Sequence, residues 1–137
     1  MNGHIVCDAS ALVALLLDSG PDGLWVTATV AGSGLAAPNL VRFETANVIR
    51  RHELAGIVSA DQAAQAHTDL LDLTIEQWPH ELLAARAWQL RHNLSIYDAS
   101  YVALAELLDT SLVTLDGRID GAAGLRCEVK RPPAHGA

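Results

Sequence analysis

His4-Ile5-Val6-Cys7-Asp8-Ala9-Ser10-Ala11-Leu12-Val13 is the stretch whose reading decides the fold. Its first residues are short and continuously apolar, the pattern of a strand buried on both faces. The run stops on a carboxylate at Asp8, and Ala9 to Leu17 follow as a helix, halted by Ser19-Gly20-Pro21. The same alternation continues down the chain. Asp22 to Val30 reads as a helix, and Leu35-Ala36-Ala37 as a brief strand. Asn39 is placed to cap a helix running to Ala55, with Gly56 in the left-handed position that ends it. Ser59-Ala60-Asp61-Gln62 matches a capping box and starts a helix to Leu71. Leu73 to Gln77 is a candidate strand, and Pro79 opens a helix to Arg91. Ser95-Ile96-Tyr97-Asp98 is a second capping box, ahead of an apolar helix ending near Leu108. Ser111 to Leu115 reads as a strand, Asp116 to Gly124 as a loop or short helix, and Cys127 to Lys130 as an edge strand. Strands separated by helices predict an α/β fold, a short parallel sheet flanked by helices.

At 137 residues, half of them hydrophobic, the chain fits one domain around one well-filled core. Residues 1–131 are expected to form the domain and 132–137 a frayed Pro/Gly-rich tail. No apolar run reaches the roughly 18 to 20 residues that span a bilayer. The start, Met1-Asn2-Gly3-His4, puts no basic segment before an apolar one and does not read as a signal peptide. Cys7 and Cys127 are too few for a disulfide framework and read as reduced thiols in a cytoplasmic protein. The net charge of -7 argues against a basic nucleic-acid stripe. That argument weakens if the acids collect a cation, because bound metal changes the local sign.

Asp8, Glu44, Asp98 and Asp116 stand where a core normally holds no charge. Asp8 and Asp116 close apolar runs, Asp98 opens an apolar helix, and Glu44 has Leu40, Val41 and Val48 as helical neighbours. Each aspartate alone is explained by helix capping. Glu44 is not, since an acid in an apolar stripe needs a partner. The chain has a single lysine, and no cationic partner for the four is evident in sequence. A shared divalent cation is the economical explanation. In parallel sheets ligands bind outside the carboxyl ends of the strands, where these residues converge. Ser10 and Thr114 are placed to orient the carboxylates or a metal-bound water, and Asn47 is the polar neighbour of Glu44. All-oxygen donors suit Mg²⁺ or Mn²⁺. The six histidines are scattered without zinc spacing. Trp25 and Trp88 lie on helices, either in the core or in an exposed patch for self-association.

Asp8-Ala9-Ser10, Glu44 with Asn47, Tyr97-Asp98-Ala99-Ser100-Tyr101-Val102-Ala103-Leu104-Ala105 and Leu112-Val113-Thr114-Leu115-Asp116 together resemble the PIN-domain ribonucleases. The size and the YDASYVALA stretch are most similar to the VapC toxins of bacterial toxin–antitoxin pairs. The resemblance covers residues 4 to 130 and implies a PIN-like three-layer fold. It implies Asp8, Glu44, Asp98 and Asp116 as the acidic quartet, with Ser10 and Thr114 in support. The activity implied is Mg²⁺- or Mn²⁺-dependent endoribonuclease, leaving 5′-phosphate and 3′-hydroxyl ends. Asp120, four residues after Asp116, is a candidate to share its role, and Arg42 and Arg118 are candidates to meet RNA phosphate. The partners implied are RNA and a small VapB-like antitoxin that occludes the acidic site, and a homodimer is expected. The alternative is a catalytically silent PIN-like scaffold. A dehalogenase-like phosphatase would need a second aspartate where Ser10 stands, and a receiver domain a lysine that Lys130 is too near the terminus to supply.

Overall fold

A computed structural model, describing residues 3–134, places strand β1 (His4–Cys7) at the middle of a five-stranded sheet. On one side lie β2 (Gly34–Pro38) and then β3 (Ile75–Trp78); on the other lie β4 (Leu112–Val113) and β5 (Val129–Lys130). All pairs are parallel, with Ile5 opposite Leu35 and Cys7 opposite Val113. The chain leaves β1 toward β2 and later returns to β1's other edge as β4. The carboxyl ends of β1 and β4 therefore flank a topological switch point, where open α/β sheets bind ligands.

Helices α1 (Ala9–Leu17), α2 (Pro21–Val30), α3 (Val41–Leu54) and α4 (Ala60–Asp72) pack with one another around Val13, Ile49, Ala63, Ala66 and Leu70. Helices α5 (Ala84–Gln89) and α6 (Ile96–Leu107) pack together, and α6 covers β1, β2 and β4. Seven consecutive α6 residues, Ala99 to Ala105, are buried, which is why that segment is apolar all round. A one-turn helix α7 (Gly117–Asp120) follows β4. Among the described residues no helix is long and apolar enough to cross a membrane. Cys7 and Cys127 are free; burial, and after it the Asp8 charge, push the Cys7 thiol up to about 12.

Three local expectations are corrected. Asn39 does not cap α3: its N–H donates to the Trp78 carbonyl of β3, and Leu40 takes the cap position with no side-chain bond. The Ser59–Gln62 box forms in both directions, whereas at Ser95 only the hydroxyl half forms, accepting from the Asp98 N–H. The longer Glu or Gln side chain is what normally reaches back from that position. The helix read from Pro79 to Arg91 breaks into a 3-10 turn, His80–Leu82, and α5, ending at Gln89. The break turns Leu83 into the core, 1% exposed. Gly56 ends α3 at φ +76°, as read from the sequence. Positions 132–134 lack regular structure, and the rest of the expected tail lies outside the described residues.

Candidate active site

The β1–α1 junction carries Asp8, 5% exposed, as the N-cap of α1. Its Oδ1 accepts from the Ala11 N–H at 3.0 Å and the Ser10 hydroxyl at 2.6 Å, and its Oδ2 from the Thr114 hydroxyl. Ser10 Oγ in turn accepts from the Leu115 N–H at 2.9 Å, and Thr114 Oγ1 from the Asp116 N–H at 3.0 Å. These bonds tie the end of β1 to the end of β4 and fix both oxygens of Asp8. Burial raises the Asp8 pKa, the bonds from Ser10, Thr114 and Ala11 oppose the rise, and the Asp98 charge adds to it.

Glu44 lies in the first turn of α3, half-buried, and its Oε1 accepts from the Tyr101 hydroxyl at 2.7 Å. Burial raises its pKa; the Tyr101 bond lowers it, and the Asp98 and Asp8 charges raise it again. Asp98, in the first turn of α6, is raised by burial and then by the Asp116 charge, with Arg118 opposing. The four acids thus feel one another's charge although they come from four separate segments.

Asp116 caps α7 and is held differently. Arg118 forks it, Nη2 at 2.6 Å from Oδ2 and Nε at 3.1 Å from Oδ1. The guanidinium holds the Asp116 carboxyl below the usual carboxylate range. The expectation that none of the four acids has a cationic partner is therefore corrected. The partner is two residues on, brought round by the α7 turn.

Other expected residues stand farther out. Asn47 is exposed on α3. Asp120 is half-exposed, 3.9 Å from Arg131. Arg42 donates to the Leu70 and Leu73 carbonyls, tying α3 to the end of α4. Trp25 packs against the core and Trp88 is 60% exposed with Arg91 over its ring. Tyr101 is the residue the sequence reading did not single out. It sits 1% exposed on α6, one turn after Asp98, and that i+3 spacing on a helix bearing an acid is the signal that finds it.

The donor set is all oxygen and suits a hard divalent cation. Burial and mutual repulsion raise Asp8, Glu44 and Asp98, a cost that a cation between them relieves. Among the described residues no group of three or more His, Cys, Asp and Glu forms a ready-made ligand cage. The carboxylates are engaged by Ser10, Thr114, Tyr101 and Arg118 instead.

Among solved structures, the fold is similar to PAE2754 from Pyrobaculum aerophilum, with a TM-score of 0.67 and 24% identity, covering 92% of this chain and 82% of that one. It is also similar to VapBC2 from Rickettsia felis, solved bound to a DNA fragment from its promoter, with a TM-score of 0.66 and 11% identity, covering 95% and 99%. The PIN domain family matches residues 5–125. Ribonuclease VapC1 of Mycobacterium tuberculosis is 40% identical over 126 residues, covering 91% of this chain and 95% of that protein. The chain therefore belongs to the PIN domain family, among its VapC ribonucleases.

Proposed function

We propose that this chain is the toxin of a VapBC-type toxin–antitoxin pair, an endoribonuclease that hydrolyses RNA phosphodiester bonds with metal-activated water. The observation that supports the reading is the placement of Asp8 and Asp116 at the ends of β1 and β4, beside the switch point, with the Asp98 charge acting on Asp8 and Glu44. A catalytically silent scaffold would have no use for Asp8, Glu44 and Asp98, whose pKa values are raised first by burial and then by a neighbouring acid.

Asp8, Glu44, Asp98 and Asp116 would hold Mg²⁺ or Mn²⁺, which lowers the pKa of a bound water and polarises the scissile phosphate. The chain's own residues do the positioning. Ser10 and Thr114 fix both oxygens of Asp8, and Tyr101 fixes one oxygen of Glu44. Arg118, largely exposed, is assigned here to RNA phosphate, for which it would leave its fork on Asp116; Arg42 is committed to backbone carbonyls. Ser10 spends its hydroxyl on Asp8 and is an orienting group, not a nucleophile.

A cavity of about 490 Å³, with apolar walls from Val13, Leu17, Val48, Ile57 and Leu115 and with Asp18, His52 and Gln62 also lining it, adjoins Asp8 at Ser10. It offers an antitoxin segment anchorage for apolar side chains beside the crevice. An arginine on that segment would fork a carboxylate as Arg118 forks Asp116, competing with metal and with RNA phosphate. Leu82, Trp88 and Tyr97, each 60% exposed, are apolar side chains open to a homodimer contact.

The test is to induce the chain in cells and sequence the 5′ ends of RNA. New 5′-phosphate ends at defined sites, absent with Asp98→Asn, support the reading. Identical end profiles for the wild type and Asp98→Asn overturn it.

A further inference from the structure

The rim that carries the acids has a second, smaller hollow. A cavity of about 250 Å³ opens between the carboxyl end of β2, the 3-10 turn and α6. Pro38, Leu40 and Leu83 give it apolar walls, while Asn39, His80 and Glu81 line it with exposed side chains. Among the described residues no hydrogen bond or ion pair engages the side chains of Asn39, His80 or Glu81.

Its position relates it to the acids. The Leu40 carbonyl accepts from the Glu44 N–H at 3.1 Å, so the hollow begins one helical turn from Glu44, about 5.4 Å along the axis. Ser100, on its other wall, follows Asp98 by two residues and precedes Tyr101, the partner of Glu44. Its volume falls below the roughly 300–1,000 Å³ of sites for drug-sized ligands, which suits a single ring system. Apolar walls with unpartnered polar groups at the rim are what an unstacked base requires: cover for its faces and hydrogen bonds for its edge.

We propose that this hollow is a nucleobase subsite, which takes the base beside the scissile phosphate and prefers adenine or cytosine over uracil. The inference rests on the RNA-cleaving reading above. The Glu81 carboxylate accepts from the exocyclic amino group of adenine or cytosine, and the Asn39 amide, a donor and an acceptor at once, pairs with the rest of the base edge and holds it against Glu81. Uracil and guanine present a carbonyl oxygen at the corresponding position, which a carboxylate repels. Discrimination of about tenfold or more follows for one well-made pair.

The experiment cleaves a randomised single-stranded RNA pool with purified wild type, Asn39→Ala and Glu81→Gln in Mn²⁺, then sequences both ends of the products. The wild type is expected to disfavour uracil about tenfold at one position adjoining the cut. Both variants flatten that position and keep the base preferences at all others. Glu81→Gln gains uracil there, since its amide N–H donates to the uracil oxygen. Both side chains are exposed, and unchanged melting curves exclude misfolding as the cause. A wild type indifferent at the positions adjoining the cut, or variants that keep its preference or lose preference everywhere, overturns the subsite. A wild type that leaves the pool uncut overturns the ribonuclease reading and the subsite with it.

Discussion

Tyr101→Phe removes one oxygen atom from the core and leaves the ring in place. That oxygen donates at 2.7 Å to Glu44 and is the link between the first turn of α3 and the middle of α6. Hydrogen bonds to charged groups contribute roughly 1.5–3 kcal/mol. Glu44 is half-buried, so water replaces part of the bond and the loss falls near the lower figure. For a domain of this size about 1.5 kcal/mol lowers the melting temperature by about 5 °C. The larger effect is on metal. Deleting a group that orients a ligand costs about 10- to 100-fold in metal affinity. The lost bond is also one that lowers the Glu44 pKa, which burial already holds above the usual range. Without it the carboxyl ionises at higher pH still, so the acid limb of Mn²⁺ affinity against pH moves upward. The assay is a Mn²⁺ titration followed by calorimetry at several pH values, with melting curves alongside. A variant that melts lower yet keeps the wild-type Mn²⁺ midpoint and acid limb would show Tyr101 to be structural only.

Other outcomes follow from the same geometry. The raised pKa values of Asp8, Glu44 and Asp98 mean that stability from these groups is present at low pH and lost as pH rises through their folded values. At neutral pH in EDTA, Asp98→Asn should therefore melt at or above the wild type, while millimolar Mn²⁺ raises the wild type and not the variant. A Cβ at Gly23 would meet the Asp18 carbonyl oxygen at 1.7 Å and the Ala14 carbonyl oxygen at 2.8 Å, so Gly23→Ala should cost about 2–3 kcal/mol in denaturant unfolding. Coexpressed with the product of the neighbouring reading frame, the chain should copurify as a homodimer bound to a short protein. Replacing one arginine in that partner's C-terminal segment should restore RNA cleavage without dissolving the complex; a monomer that binds and is inhibited by nothing would contradict the toxin assignment.

Much of the architecture was legible because it rests on local rules. The apolar run before Asp8, the Ser59 box and Gly56 each act within a few residues. Glu44 was legible as an acid in need of a partner because it stands among Leu40, Val41 and Val48 on its own helix face, and Tyr101 is a partner it finds. The strand order was not legible, since pairing β1 with β4 depends on residues more than one hundred apart. Tyr101 escaped for the same reason: its bond to Glu44 spans 57 residues, and an aromatic on an apolar helix reads as plain core. Arg118 was close enough to notice. Its pairing with Asp116 depends on the tight α7 turn, which the sequence left open between loop and helix. Asn39 and the half-formed box at Ser95 show a composition signal overridden by a competing bond or by side-chain length.

The most direct test of the account is cleavage of RNA by the purified chain with and without divalent metal. The account predicts 5′-phosphate and 3′-hydroxyl products in Mg²⁺ or Mn²⁺, none in EDTA, and a loss of orders of magnitude in each of Asp8→Ala, Glu44→Ala and Asp98→Ala, because the three act in one transition state. Full activity in EDTA, or an Asp98→Ala variant as active as the wild type, would contradict it.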